Sequence, residues 1–392
     1  MKRLLQISFD TLLTSALPIV MWIVLGIIVR PEVANVFSLT YPLLFVYVVF
    51  VNVFAIGPNI TARRNKNRYV VFSNMIFGGI VAGLVTLFLV LNVDTYITLM
   101  NMESEVYHDF CIYGIVLIFY GFIVQMISQK LYYEGKNRRS NVINVFFNIV
   151  NFSLIIVLPN ITDEKTAILM TMIIDAVVLI YFLKRNFKKT KIQLCLISNI
   201  KNTSFSILDN LGMSVFYGIG FWNTFSYGQK YIDAINFESL TTESQWDVLD
   251  SLSTTSKIDI TKRKFSYRKS LKEAYKFLFV LFLTIIIMNV ALYWYYKPDL
   301  GVLAILLAVQ VVDMLIRPLV IFRWNYLQIE DNKAKHNAAF LGIRLVTILT
   351  SFIPTAYCTY IGQLLTVGLE YLYAKVKCRK VRLFKLKRGR LY

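Results

Sequence analysis

The sequence predicts an all-α integral membrane protein with twelve transmembrane helices, arranged as two six-helix lobes related by a pseudo-two-fold axis along the membrane normal. Three observations predict it. Of 392 residues, 57% are hydrophobic and only 17% charged, with a mean hydropathy of +0.57; that is too little polar surface to cover a soluble globule of this size. Apolar runs of about 18 or more residues recur, each long enough to cross a hydrocarbon core of about 30 Å as a helix, and the alternating strands of a barrel are not seen. The loops between these runs alternate between basic and acidic or neutral, the pattern that sets orientation in a bilayer.

Eleven spans are read directly: Thr11 to Val29, Val33 to Gly57, Val70 to Asn92, Phe110 to Ser128, Asn141 to Leu158, Thr166 to Leu183, Ser204 to Trp222, Tyr275 to Tyr295, Gly301 to Phe322, Ala338 to Tyr357 and Thr359 to Ala374. The start, MKRLLQISFDTLLTSALPIV, has the look of a signal peptide. Its apolar stretch is longer than a usual signal core, so a retained first helix is predicted.

The twelfth span follows from parity. Lys2 and Arg3, ITARRNKNR after the second span, KLYYEGKNRRS after the fourth and KRNFKKTKIQ after the sixth are basic, while NVDTYITLMNMESEVYHD and PNITDEK are acidic or nearly neutral. Basic loops stay in the cytoplasm. If Tyr231 to Ser256 does not cross, the basic loop SKIDITKRKFSYRKSLKEAYK, the loop FRWNYLQIEDNKAKH and the tail KVKCRKVRLFKLKRGRLY all fall outside. If it does cross, of 42 lysines and arginines only Arg30, Lys165, Lys230 and Lys297 lie outside, and Arg317 and Arg344 lie within spans, with Lys276 at the cytoplasmic edge of one. A hidden eighth helix is therefore predicted, although the stretch carries Glu238, Glu243, Asp247, Asp250 and Asp259. Each acid at mid-membrane costs about 2.5 to 3.5 kcal/mol even on the lenient insertion scale, so this helix must face protein or water. Glu243, Asp247 and Asp250 share one stripe at i, i+4 and i+7 beside Trp246 and Leu249, and an acidic stripe inside a bundle attracts cations or protons.

The two halves repeat weakly. IleThrAlaArg at 60–63 returns as IleThrLysArg at 260–263, and EGKNRRSN at 134–141 as EDNKAKHN at 330–337, each about 200 residues later and in an equivalent loop. Parallel repeats are a transporter architecture. Four parts are expected: a lobe at 1–190, a cytoplasmic linker at 191–203, a second lobe at 204–376 and a basic tail at 377–392. The formal charge of +19 is accounted for by cytoplasmic loops, so nucleic acid is not an expected partner.

The six-plus-six plan, SALPIV with Pro18 in the first span, the loops after spans two and eight, and QVVDMLIRPLVIFRWNYLQIEDN in the tenth span resemble the multidrug and toxin extrusion (MATE) family, in the superfamily that also holds polysaccharide flippases. TTESQWDVLDSLSTTSKIDI looks like a divergent bacterial branch. The resemblance implies two lobes rocking about a central cleft and drug export driven by a proton or sodium ion. It also carries the tenth-span aspartate of the second-lobe cation site onto Asp313. The family's seventh-span glutamate has no match in LGMSVFYGIGFW, and the first-span aspartate of another branch is missing from TLLTSALPIVMWIVL.

Further candidates come from the residues themselves. Asp313 and Arg317, at i and i+4 in one span, form either a functional site or a neutralised structural pair. Arg344 is a partner for Asp313 or for the eighth-helix acids, or snorkels to the interface. Asp175, alone in an apolar run, is an acid of the transport path or a buried hydrogen-bonded carboxyl. Asp209 reads as a helix cap. Tyr217, Trp222 and Trp246 offer aromatic surface to a cationic ligand. Pro18, Pro42, Pro318 and Pro354 break backbone bonding inside spans, and Gly79 with Gly83 marks a helix contact.

Cys111, Cys195, Cys358 and Cys378 have no metal-ligand or C-x-x-C spacing, so neither disulfide nor zinc is implied. Enzyme readings fare poorly: His108 and His336 fall in loops on opposite sides, and no Walker, zinc or serine-nucleophile pattern is present. The expectation is a secondary-active exporter of organic cations or amphipathic compounds. It is a plasma-membrane protein with both termini cytoplasmic, monomeric, without a cofactor beyond a transported proton or sodium ion, and in contact with membrane lipids and a small-molecule substrate. A flippase for a lipid-linked oligosaccharide is the second reading, and a membrane glycan polymerase or acyltransferase the third.

Overall fold

A computed structural model describes residues 18–65, 69–186, 193–263 and 265–387. Among them, twelve helices follow one another in the predicted order: α1 Pro18–Ile28, α2 Pro31–Asn65, α3 Tyr69–Leu91, α4 Ser104–Tyr133, α5 Asn137–Val157, α6 Glu164–Asn186, α7 Leu196–Phe225, α8 in two consecutive pieces Gln229–Thr242 and Ser244–Thr261, α9 Tyr267–Tyr296, α10 Leu300–Glu330, α11 Lys333–Thr350 and α12 Cys358–Lys387. The beginning of the first predicted span, before Pro18, lies outside the described residues. Seven of the described helices (α2 to α6, α9 and α10) are long and apolar enough to cross a membrane by length and composition alone.

The stretch that parity requires to cross is helical from Gln229 to Thr261, with one break at Glu243. Its pieces of 14 and 18 residues span about 48 Å at 1.5 Å per residue, enough to cross. It is polar because it is buried: Ile235, Phe237, Leu240, Val248, Leu249 and Leu252 pack inside the protein together with Glu238, Thr242, Gln245 and Ser256. Side-chain bonds tie it to α10 at two levels. Gln245 Nε2 donates to Gln310 Oε1 (2.7 Å), and lower down Asn325 Nδ2 donates to Ser256 Oγ (2.7 Å) and to the Ser253 carbonyl (3.0 Å).

The chain divides into two compact units, Ala16–Ser226 and Tyr227–Tyr392. The first carries α1 to α7. Its core centres on Tyr47, Phe54, Met75, Phe122, Ile127 and Phe147, while Ile76, Ile80, Leu84, Phe88 and Leu91 form an exposed apolar stripe along α3, the face a bilayer covers. The start of α7 belongs to this unit through buried polar contacts: Thr61 Oγ1 donates to Asn199 Oδ1 (2.8 Å), and Asn199 Nδ2 to Asn74 Oδ1 (2.9 Å). The second unit carries α8 to α12 around Val248, Leu252, Ala274, Leu278, Met314 and Phe322.

Helix α2 is not uniform. A 3-10 turn at Pro31–Asn35 leads into Val36–Val51, then a π-helical turn Asn52–Ile56, then Gly57–Asn65. Pro58 explains the wide turn: it has no N–H to give the carbonyl of Phe54, and its ring would crowd that carbonyl in a plain α-helix. The tightest glycine contact is at Gly78, where an added Cβ would sit 2.3 Å from Phe54 Cβ; Gly79 and Gly83 face α4 at ordinary distances of 3.5 Å or more.

Several expectations are corrected. Pro354 is not inside a span: α11 ends at Thr350, and turns carry the chain to Cys358. Asp209 does not cap α7, because that helix begins at Leu196 and Asp209 falls well inside it. The loop after α3 contains a short helix, Val93–Leu99, held down by Tyr96 Oη donating to the Leu39 carbonyl (2.6 Å). Neither histidine is a plain loop residue. His108 lies in the first turns of α4, 2.7 Å from Asp94, and His336 is buried in the first turn of α11 between Asp331 (2.9 Å) and Tyr373 (3.0 Å). The imidazole beside Asp331 holds that carboxyl below its ordinary range.

Candidate functional site

Two groups of buried polar side chains stand out, one in each unit.

In Tyr227–Tyr392 the centre is α10. Asp313 is 0% exposed and Arg317, one turn on, grips it through Nη2–Oδ1 (2.6 Å) and Nε–Oδ2 (3.4 Å). The i, i+4 spacing on one helix makes this pair possible. The third nitrogen of the guanidinium, Nη1, binds Glu370 Oε2 of α12 at 2.8 Å, so two carboxylates share one cation. Trp246 of α8 lies under the guanidinium at 5.4 Å, a cation–π contact. Arg344 is not the ion-pair partner of Asp313; it lies over the ring of Phe340, 5.1 Å away.

A ladder of amides extends this triad. Gln363 Nε2 of α12 reaches Asp313 Oδ2 (3.5 Å) and Gln310 Oε1 (3.0 Å), and Gln310 Oε1 also accepts from Gln245. With its oxygen occupied twice, Gln310 presents its amide nitrogen to Glu238 of α8. Glu238 is 1% exposed. Its Oε1 accepts from Thr242 Oγ1 (2.7 Å) and its Oε2 from the Tyr360 hydroxyl of α12. Among the described residues no lysine or arginine pairs with it. Gln245 is also fully buried, and its Oε1 has no hydrogen-bond partner among the described residues.

Of the predicted stripe, Glu243 sits half-buried at the break in α8; the side chains of Asp247 and Asp250 lie outside the described residues. Glu238, Gln245 and Trp246 of α8 meet α10 or α12. Sequence reasoning named Glu238 as one acid of the segment but did not place it in a site. It passed over Glu370 entirely, although a single acid within TVGLEYLYA is the same signal that marked Asp175.

In Ala16–Ser226, Asp175 of α6 is 0% exposed. Asn151 of α5 donates to its Oδ2 and in turn accepts from the Tyr113 hydroxyl of α4 (3.0 Å). Asp175 Oδ1 is buried without a hydrogen-bond partner among the described residues. Tyr217 of α7 belongs to an aromatic group in the same unit, stacked on Phe45 (5.6 Å) and edge-on to Tyr41 (5.0 Å). Trp222 is half exposed and its carbonyl accepts from Asn101 (3.0 Å).

Among the described residues no group of histidine, cysteine, aspartate and glutamate is arranged to hold a metal ion. Chemically, these groups can store protons or cations and set the charge of a buried surface.

Twelve helices, seven of them long and apolar enough to cross a membrane, define a polytopic membrane protein. No family model matches the sequence, and no curated protein matches it. Solved structures match over nearly the whole length. A multidrug resistance MATE family transporter of the MOP superfamily in an inward-facing conformation is 14% identical with a TM-score of 0.70, over 97% of this chain and 98% of that one. Its family's outward-facing counterpart is 14% identical with a TM-score of 0.64, over 97% and 96%. A MOP superfamily transporter from Pyrococcus furiosus Vc1, described as having a binding pocket of reversed polarity that suggests a different function, is 13% identical with a TM-score of 0.60, over 97% and 96%. The chain has the fold of the MATE transporters, as the resemblance in its sequence implies.

Proposed function

We propose that this chain is a secondary-active membrane exporter of organic cations or amphipathic compounds, driven by proton or sodium antiport through alternating access. The observation that carries the reading is the buried polar group of α8, α10 and α12. Among the described residues, Asp313, Glu370 and Glu238 are three carboxyls against the guanidinium of Arg317, an excess of negative charge that favours a cation over an anion. Asp175, with one oxygen unpartnered among the described residues, supplies a second buried acid in the other unit. An anionic pyrophosphate, the ligand of an oligosaccharide flippase, would need basic side chains. The arginine at this site is already shared by two carboxylates, which leaves the flippase reading second.

The reading places the protein in the plasma membrane as a monomer with both termini cytoplasmic. The chain then acts without a resident cofactor, the transported proton or sodium ion being cargo. In sealed vesicles, uptake or release of a cationic dye responds to an imposed proton or sodium gradient; a dye flux indifferent to both gradients overturns export.

A further inference from the structure

Asp313 is the acid that the family resemblance marks, yet its surroundings suit it poorly to exchange an ion. Both its oxygens face Arg317, at 2.6 and 3.4 Å. A proton or metal ion arriving there would first have to displace the guanidinium from Asp313 and leave it to Glu370 alone. Glu238 has the opposite environment. It is as deeply buried, but its partners are neutral: Thr242, Tyr360 and Gln310. Cancelling its charge leaves no buried cation without its partner.

We propose that Glu238, not Asp313, is the carboxyl that takes up and releases the driving ion, and that this ion is a proton. The proposal rests on the export reading and names the residue and ion behind it. The chemistry balances without a further reactant: a solvent proton forms an O–H bond on a Glu238 oxygen, the carboxylate charge is cancelled, and the Tyr360 or Thr242 hydroxyl turns from donor to acceptor. Hydroxyls rotate freely enough to do this without moving a heavy atom. A sodium ion would have to displace those donors and gather five or six oxygens. Gln363 and Gln310 join Glu238 to the triad of Asp313, Glu370 and Arg317.

A second observation points to the route. Gln245 donates to Gln310, which puts its amide within the same cluster, and its Oε1 is buried with no partner among the described residues. A buried amide oxygen of this kind is commonly satisfied by a water, which would belong to the same polar cluster.

The test uses infrared pH-difference spectra of the full chain in lipid nanodiscs, without substrate or gradient, so that it remains decisive even if no dye is transported. In an Asp175→Asn background, which removes the buried acid of the other unit, the protein shows a titrating protonated-carboxyl band that Glu238→Gln removes and Asp313→Asn retains. If Glu238→Gln retains the band, or Asp313→Asn removes it, the assignment falls. Should Glu238→Gln fail to fold, Tyr360→Phe replaces it: loss of that donor shifts the midpoint of the band, and an unmoved midpoint overturns the proposal. Sodium added at fixed pH leaves the band unchanged; a sodium-dependent loss of the band assigns the site to sodium instead. Where gradient-driven dye flux is measurable, Glu238→Gln reduces the proton-driven component at least tenfold, and retained proton-driven flux in a folded Glu238→Gln protein overturns the assignment.

Discussion

Arg317 is the residue on which the second unit's buried charge depends. It meets Asp313, Glu370 and the ring of Trp246 at once, so its removal leaves two buried carboxylates uncompensated. Breaking a buried pair in this way costs about 3 to 5 kcal/mol. Arg317→Met is expected to lower the thermal unfolding temperature in detergent sharply. Adding Asp313→Asn and Glu370→Gln to the same chain is expected to restore most of the loss, because the site is then neutral throughout. A triple variant no more stable than Arg317→Met would mean that packing of the arginine, not its charge, is what matters.

The residue scale is also where sequence reading is weakest. Asp313 and Arg317 were legible because charged side chains in an apolar run are expensive and therefore visible. Gln245, Gln310 and Gln363 were not, since an amide costs little enough to pass unnoticed until the helices that join them are packed. The charge pattern on α8 picked out the face of Glu243, Asp247 and Asp250. Glu238 and Gln245, which meet α10 and α12, were not singled out by that pattern. Spacing identifies which residues share a face, but not what that face meets.

At the scale of elements, the approach of α2 to α3 is set by the absence of a side chain at Gly78. A methyl group there would stand 2.3 Å from Phe54 Cβ and 2.5 Å from its Cγ, atoms too close to the backbone to swing aside. Gly78→Ala is expected to force the helices apart and destabilise the protein by about 1 to 3 kcal/mol, read as a lowered midpoint of thermal unfolding. Gly79→Ala, which meets only the flexible end of Met126 at 3.5 Å, is expected to be close to neutral. Equal effects at the two positions would show that helix propensity rather than contact governs both. The glycine spacing was readable as a helix contact, but the critical glycine was one position earlier, because the sequence does not reveal the rotation of α3 against α2.

For the whole molecule, the parity of crossings was the most legible feature. It depends on where 42 basic residues fall rather than on any single segment. The same reasoning yields a labelling test. Ser226, before α8, and Ser266, after it, are both exposed. In a background with the four native cysteines replaced, Ser226→Cys is expected to react with an impermeant thiol reagent from outside intact cells. Ser266→Cys is expected to react only after the membrane is opened. Reaction of both from the same side would remove α8 from the membrane and invert everything after it. Loops were less readable: the short helix Val93–Leu99 was hidden in a polar connection, and Pro354 seemed to interrupt a helix when it lies in the turn between two.

The π-helical turn at Asn52–Ile56 has a consequence for how this chain is aligned with others. Such a turn holds one residue more than the α-turn it replaces, so in effect α2 contains an insertion. Each residue of an α-helix advances the side chain by about 100°. An alignment that runs α2 against an uninterrupted helix without opening a one-residue gap at this turn pairs every later position with one pointing about 100° away. Asn59, whose side chain reaches the Gln129 carbonyl, and Thr61, which reaches Asn199, would then be matched to residues on the wrong side of the helix, and polar contacts shared in three dimensions would look like substitutions.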